Sequence, residues 1–123
     1  MPPPRVLVAD DDASIRGLVR AVLRQDGFEV VEASNGDEVL ERMRAERYDA
    51  VILDLMMGPG SGRDVLEKVS EERAGEKFII IVSATSQAAI DRLDNDKIFA
   101  KLRKPFDINE LQRVVRASIA AHH

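Results

Sequence analysis

Several polar residues of this 123-residue chain stand where short apolar runs stop: Asp10, Asp11 and Asp12 after 6–9, Asp54 after 50–53, Ser83 after 78–82 and Lys104 just beyond 98–102. Alone, each has a plain structural role, because a carboxylate or hydroxyl after a strand commonly caps the next helix or forms a turn. Asp12 is read in that way. The combination asks for more, since carboxylates that converge without a counter-charge repel one another and raise some of their own pKa values. A cation is the natural partner. Oxygen ligands with no neighbouring His or Cys favour a hard ion such as Mg²⁺, with Mn²⁺ as the alternative, and disfavour zinc. A carboxylate beside such an ion can attack phosphorus and become an aspartyl phosphate. Phosphoryl transfer then needs alignment and charge neutralisation, which a lysine and a hydroxyl donor can supply; Lys104 and Ser83 are the residues of those types.

The elements that must position these groups follow from periodicity. The runs 6–9, 29–33, 50–53, 78–82 and 98–102 read as short buried strands. Between them, Ile15, Leu18, Val19, Val22 and Leu23 form the one-sided stripe of an amphipathic helix that Gly27 closes. Val39, Leu40 and Met43 mark a second helix, and Val65, Leu66 and Val69 a third. Ala88, Ala89, Ile90 and Leu93 suggest a short fourth, frayed by Asp91, Asp94, Asn95 and Asp96, whose charge opposes the helix dipole. Asp107 and Glu110 form a capping-box pattern before Ile108, Leu111, Val114, Val115 and Ile119. Strands alternating with helices imply right-handed crossovers and an α/β class, a doubly wound parallel sheet covered on both faces. Ligands bind such sheets outside the carboxyl ends of the strands, where all the candidate residues fall.

Composition narrows the function. A chain of this length with 45% hydrophobic residues fits one domain. Pro2, Pro3 and Pro4 make residues 1–4 an extended arm, the domain is expected over 5–121, and His122 and His123 match the stub of a purification tag. There is no cysteine, which removes disulfides and thiolate chemistry. No apolar run approaches the roughly 18 to 20 residues of a membrane span, so a cytoplasmic protein without membrane contact is expected. A net charge of −4 and a pI near 5.2 argue against direct nucleic-acid binding, which needs an excess of Lys and Arg.

The segments VLVADDD at 6–12, VILDLMM at 51–57, IIIVSA at 79–84 and LRKPFD at 102–107 resemble response-regulator receiver domains, and the resemblance spans nearly the whole chain. It implies a five-stranded flavodoxin-like sheet of order 2-1-3-4-5 and a phosphorylation-dependent switch rather than an enzyme acting on an external substrate. Asp54 would take the phosphoryl group from a histidine kinase, a phosphotransfer protein or a small donor such as acetyl phosphate. Asp11 would bind Mg²⁺ directly and Asp10 largely through water, with Asp54 and the backbone carbonyl of Met56 completing the protein ligands. Lys104 would pair with a phosphoryl oxygen across a cis Lys104–Pro105 bond. Ser83 would turn toward the phosphoryl group, and the face formed by the fourth helix, fifth strand and fifth helix would address a downstream effector protein or a second copy in a homodimer.

The chain departs from the family pattern in places. Lys101 occupies the position of the usual Tyr or Phe, and Phe99, two residues earlier on the same strand face by the two-residue period, is the candidate substitute. The loop Met57, Gly58, Pro59, Gly60 carries its proline one place late, and Lys97 and Ile98 replace the usual Gly-Ala pair. Lys97, Lys101 and Arg103 read as a solvated basic face, with a docking surface as the alternative. Met56 and Thr85, at the positions that govern phosphoryl lifetime in the family, predict slow self-dephosphorylation. Two other readings stand beside the receiver: a small aspartyl-phosphate phosphohydrolase of the haloacid-dehalogenase type, which needs a cap or larger domain that 123 residues do not supply, and a pseudo-receiver that binds partners without phosphate.

Overall fold

In a computed structural model that describes residues 2–57, 62–69 and 76–121, strand and helix alternate along the chain. The elements are β1 (Arg5–Ala9), α1 (Ala13–Gln25), β2 (Glu29–Ala33), α2 (Gly36–Ala45), β3 (Ala50–Asp54), α3 (Gly62–Val69), β4 (Ile79–Ser83), α4 (Gln87–Asp91), β5 (Ile98–Arg103) and α5 (Ile108–Ala121). All neighbouring strands pair in parallel, in the order β2-β1-β3-β4-β5. This is the doubly wound, flavodoxin-like α/β sheet that the alternation and the resemblance imply.

The inner strands β1, β3 and β4 are apolar along most of their length because both sheet faces are covered. Leu7, Val51, Leu53, Ile79 and Ile81 pack with Val39 of α2 and Val65, Leu66 and Val69 of α3. Val6, Val8, Ile52, Ile80 and Val82 pack with Val19 and Leu23 of α1 and Leu111, Val115 and Ile119 of α5. Complete burial of one such side chain is worth about 2 kcal/mol, so each face resists strand slippage strongly. Because β1 lies between β2 and β3, the chain leaves its carboxyl end toward one side while β3 approaches from the other. That reversal opens a crevice above Ala9 and Leu53, which pair across the ladder.

Local chemistry sets the boundaries. Asp12 caps α1, accepting from the N–H groups of Ser14 at 2.9 Å and Ile15 at 3.3 Å. At its other end, Gly27 at φ 91° lets its N–H reach the Arg24 carbonyl while Phe28 N–H reaches Leu23, a Schellman closure. Asp107 precedes α5 and accepts from Asn109 N–H at 2.7 Å.

Five expectations change. Leu18 is 56% exposed: the buried stripe of α1 runs through Val19 and Leu23, and Leu18 stands about 100° round the helix from Val19. α4 has only five residues, and Leu93 lies beyond its end. The β4–β5 register pairs Ile79 with Ile98 but Ile80 with Ala100, so Phe99 is an inserted bulge residue. The alternation that would put Phe99 on the face of Lys101 is therefore interrupted. Lys97 is buried at 1% exposure, with its ammonium 3.7 Å from the Asp96 carboxylate. Its turn is tucked under the sheet, where Phe78 and Ile79 N–H groups both bond its carbonyl. Lys101 is half-buried and its ammonium donates to the Leu93 carbonyl at 2.7 Å, leaving Arg103 as the exposed member of the supposed solvated face. Among the described residues no helix is long and apolar enough to cross a membrane. The shifted proline at 59 and the two terminal histidines lie outside the described residues.

Candidate functional site

The crevice is built from strand ends. Asp10 extends β1 by one ladder bond, its N–H donating to the Ala33 carbonyl at 3.2 Å, and its side chain is 2% exposed. Asp54 is the last residue of β3, paired with Val82 and 3% exposed. Asp11 follows Asp10 and is exposed. One oxygen from each of Asp10, Asp11 and Asp54 lies within 4.8 Å of the others. Lys104 arrives from the far edge: its N–H donates to the Ser83 carbonyl at 2.7 Å, and the Lys104–Pro105 bond is cis. Its ammonium donates to Asp10 Oδ2 at 2.7 Å and to Asp54 Oδ2 at 3.2 Å.

The other oxygens of Asp10 and Asp54 are also occupied. Asp10 Oδ1 accepts from Asp12 N–H at 2.9 Å, and Asp54 Oδ1 from Met56 N–H at 3.0 Å. Ser83 is fully buried one residue past Val82, and its Oγ accepts from Thr85 N–H at 3.1 Å, which leaves the hydroxyl proton available for donation. Met56 extends an exposed thioether beside Asp54, at 61% exposure.

Electrostatics set the two central groups apart from ordinary side chains. Burial pushes the Asp54 carboxyl above the usual carboxylate range; the Met56 N–H and Lys104 oppose that shift, and the Asp10 charge adds to it. Burial alone would lower the Lys104 ammonium, but bonds and charge from Asp10 and Asp54 outweigh it, and the ammonium titrates above its usual value. Two buried carboxyl groups thus share one ammonium, with the exposed Asp11 carboxylate close beside them. All are hard oxygen donors without nitrogen or sulfur, a set suited to Mg²⁺ or Mn²⁺. The arrangement can gather a divalent cation, a nucleophilic carboxylate and a fixed ammonium around one phosphoryl group.

Two neighbours of the site escaped sequence reasoning. Gly62, the first residue of α3, packs on the end of β3: a Cβ there would lie 2.5 Å from the Asp54 carbonyl oxygen and 2.7 Å from Leu55 Cα. The glycine-rich loop signalled a tight approach without saying which glycine makes it. Arg16 donates from Nη1 to the Asp10 carbonyl at 2.6 Å. A cation near a helix amino end opposes the dipole, a signal that could have prompted a search for its partner.

Residues 6–116 match the family described as the response regulator receiver domain. The chain is similar to the transcriptional regulatory protein PdtaR of Mycobacterium tuberculosis, at 32% identity over 120 residues that cover 96% of this chain and 58% of PdtaR. It is similar to sporulation initiation phosphotransferase F of Bacillus subtilis, at 29% identity over 91% of this chain and 90% of that protein. Among solved structures, the Francisella response regulator 1452 receiver domain superposes with a TM-score of 0.89 at 28% identity, covering 98% of this chain and 99% of that one. The response regulator TrrA from Thermotoga maritima, in complex with Mg²⁺–BeF, has a TM-score of 0.83 at 31% identity, covering 94% and 98%. The chain spans little more than half the length of PdtaR and most of phosphotransferase F. With the sheet order, the sequence match and the acidic crevice in agreement, the chain belongs to the response regulator receiver domain family, the phosphoacceptor switches of two-component signalling.

Proposed function

We propose that Asp54 is the phosphoacceptor, esterified by a histidine kinase, a phosphotransfer protein or a small phosphodonor, in a pocket where Asp10, Asp11, Asp54 and the Met56 backbone carbonyl hold Mg²⁺. The observation that carries this reading is the convergence of the three carboxylates within 4.8 Å, with the Lys104 ammonium bonded to two of them. A bound divalent cation supplies charge neutralisation for the phosphoryl oxygens. The residues do the rest. Asp54 is held by Met56 N–H through one oxygen, and its other oxygen faces Lys104. Lys104 already spans Asp10 and Asp54, so transfer of its ammonium to a phosphoryl oxygen requires a short movement rather than a new arrangement. Ser83 can exchange its bond from Thr85 N–H for a bond to the phosphoryl group, which couples the β4–α4 loop to the modification. The α4–β5–α5 face would then carry the signal to a protein partner.

Mass spectrometry after incubation with acetyl phosphate and MgCl₂ tests this. One phosphoryl group should add to the chain, be lost with EDTA present during the reaction, and be absent from Asp54→Asn. An intact chain that gains no mass, or an Asp54→Asn variant that gains as much as wild type, would exclude the reading.

A further inference from the structure

We infer that Arg16 is a positioning residue for the metal site, acting through the backbone of the acidic loop rather than through any contact with the cation. The inference rests on the proposed Mg²⁺ pocket and adds a residue to it.

Arg16 lies in the amino-terminal part of α1, where the helix dipole disfavours a cation and where no acidic side chain of the first turn offsets it. Its side chain nevertheless turns back toward the sheet and is only 18% exposed. Nη1 donates to the Asp10 carbonyl at 2.6 Å, and Nε lies 3.4 Å from the Glu32 carboxylate on β2. Glu32 is itself fixed by Arg20 Nη1 at 2.7 Å. Arg16 therefore ties together the end of β1, the end of β2 and α1.

The tie acts at a particular place. Asp10 N–H makes the last bond of the β1–β2 ladder, to Ala33, and the next carbonyl is met by a guanidinium instead of a strand. A peptide unit is planar, so fixing the Asp10 carbonyl also fixes the N–H and Cα of Asp11. Among the described residues no hydrogen bond holds the exposed Asp11 carboxylate itself, so its placement depends on that backbone. Asp10 has side-chain restraints of its own, in Asp12 N–H and Lys104. Partners that orient metal ligands typically govern affinity by about tenfold or more.

Charge and position predict opposite outcomes. As a charge alone, Arg16 repels a divalent cation, and its removal should tighten binding. As a positioning residue, its removal should weaken binding. The test is a MgCl₂ titration at constant ionic strength, read as the rise in melting temperature, for wild type, Arg16→Ala and Arg16→Lys. The lysine variant keeps the charge and much of the length but lacks the fork, and it serves where the alanine variant does not fold in EDTA. Each folded variant should need about tenfold more Mg²⁺ for half of its maximal shift. Half-maximal phosphorylation by acetyl phosphate should need correspondingly more Mg²⁺, while the rate at saturating Mg²⁺ stays at the wild-type value. Variants that bind Mg²⁺ as tightly as wild type, or more tightly, overturn the inference, as does a rate that stays depressed at saturation. A wild-type chain with no Mg²⁺-dependent shift instead refutes the pocket itself.

Discussion

The Lys104 ammonium lies 2.7 Å from the Asp10 carboxylate although 94 residues separate them in the chain. Asp10 is almost completely buried and Asp54, the ammonium's second partner, nearly so. Removing the lysine leaves two buried carboxyl groups without their counter-charge, which costs more than the lost bond alone. Lys104→Met should therefore lower unfolding free energy in EDTA by about 2 kcal/mol. Mg²⁺ should narrow the gap, because a cation can take over the neutralisation. Urea unfolding of both proteins with and without Mg²⁺ measures this; an equal loss in both conditions would assign the effect to packing of the lysine stem.

The two displaced pKa values give the metal-free protein a signed pH dependence. Asp54 titrates higher folded than unfolded, so its contribution is fully present below the unfolded aspartate value and falls as pH rises through the folded one. In EDTA, Asp54→Asn should flatten that decline from mildly acidic to neutral pH and be the more stable protein at neutrality. Lys104 is also raised, so its contribution persists through neutrality and is lost only as pH climbs above the usual lysine value of 10.5. Denaturation midpoints across the acidic and alkaline limbs test both signs. A wild-type chain whose stability in EDTA rises between those acidic and neutral values relative to Asp54→Asn would contradict the first.

Gly62 leaves no room for a side chain beside Asp54. The atoms that a Cβ would meet are backbone atoms of Asp54 and Leu55, which cannot swing aside. Gly62→Ala should cost about 2 kcal/mol by overpacking and should slow phosphorylation, because relief requires the end of β3 to move. Thermal unfolding together with the acetyl phosphate reaction checks both. A variant of wild-type stability would show that α3 can shift without cost.

How far these relationships were visible beforehand depended on what carries them. Apolar runs that stop at a polar residue mark strand ends, so the rim of Asp10, Asp54, Ser83 and Lys104 could be read from the chain before its geometry was known. Asp12 as a cap and Gly27 as a helix closure were legible for the same local reason. Lys97 and Lys101 were not: a run of basic residues implies a solvated face only if the turn and strand that carry them face solvent, and here the chain tucks them inward. A bulge at Phe99 is equally silent, since one inserted residue leaves composition unchanged while breaking the two-residue period. Arg16 depended on a contact to a backbone carbonyl, which no side-chain pattern encodes.

Lys101 fills the place of a family aromatic with a tether. Its ammonium donates to the Leu93 carbonyl, just past the five-residue α4, and so fastens β5 to the segment that leaves that helix. Lys101→Met keeps much of the stem and removes the donor. It should cost about 1 kcal/mol and raise amide hydrogen exchange locally across residues 91–97, with little change in β1 or β3. Exchange that rises uniformly over the sheet, or not at all, would show that the bond does not restrain this segment.

A phosphorylated Asp54 would lose its phosphoryl group by hydrolysis. Hydrolysis needs a water held in line with the phosphorus, and an oriented carboxylate or amide is the usual way to hold one. Met56 presents an exposed thioether beside Asp54, and Thr85 commits its N–H to the Ser83 hydroxyl; neither side chain is a carboxylate or an amide. Self-dephosphorylation should accordingly take minutes or longer rather than seconds. Met56→Asn places an amide at the same backbone position, whose N–H already bonds Asp54, and should shorten the lifetime severalfold without altering the Mg²⁺ requirement. Decay of the phosphorylated mass after acetyl phosphate is removed measures both proteins. Loss from wild type within seconds would mean that water is positioned by some other group, and the backbone around Met56 would then be the place to look.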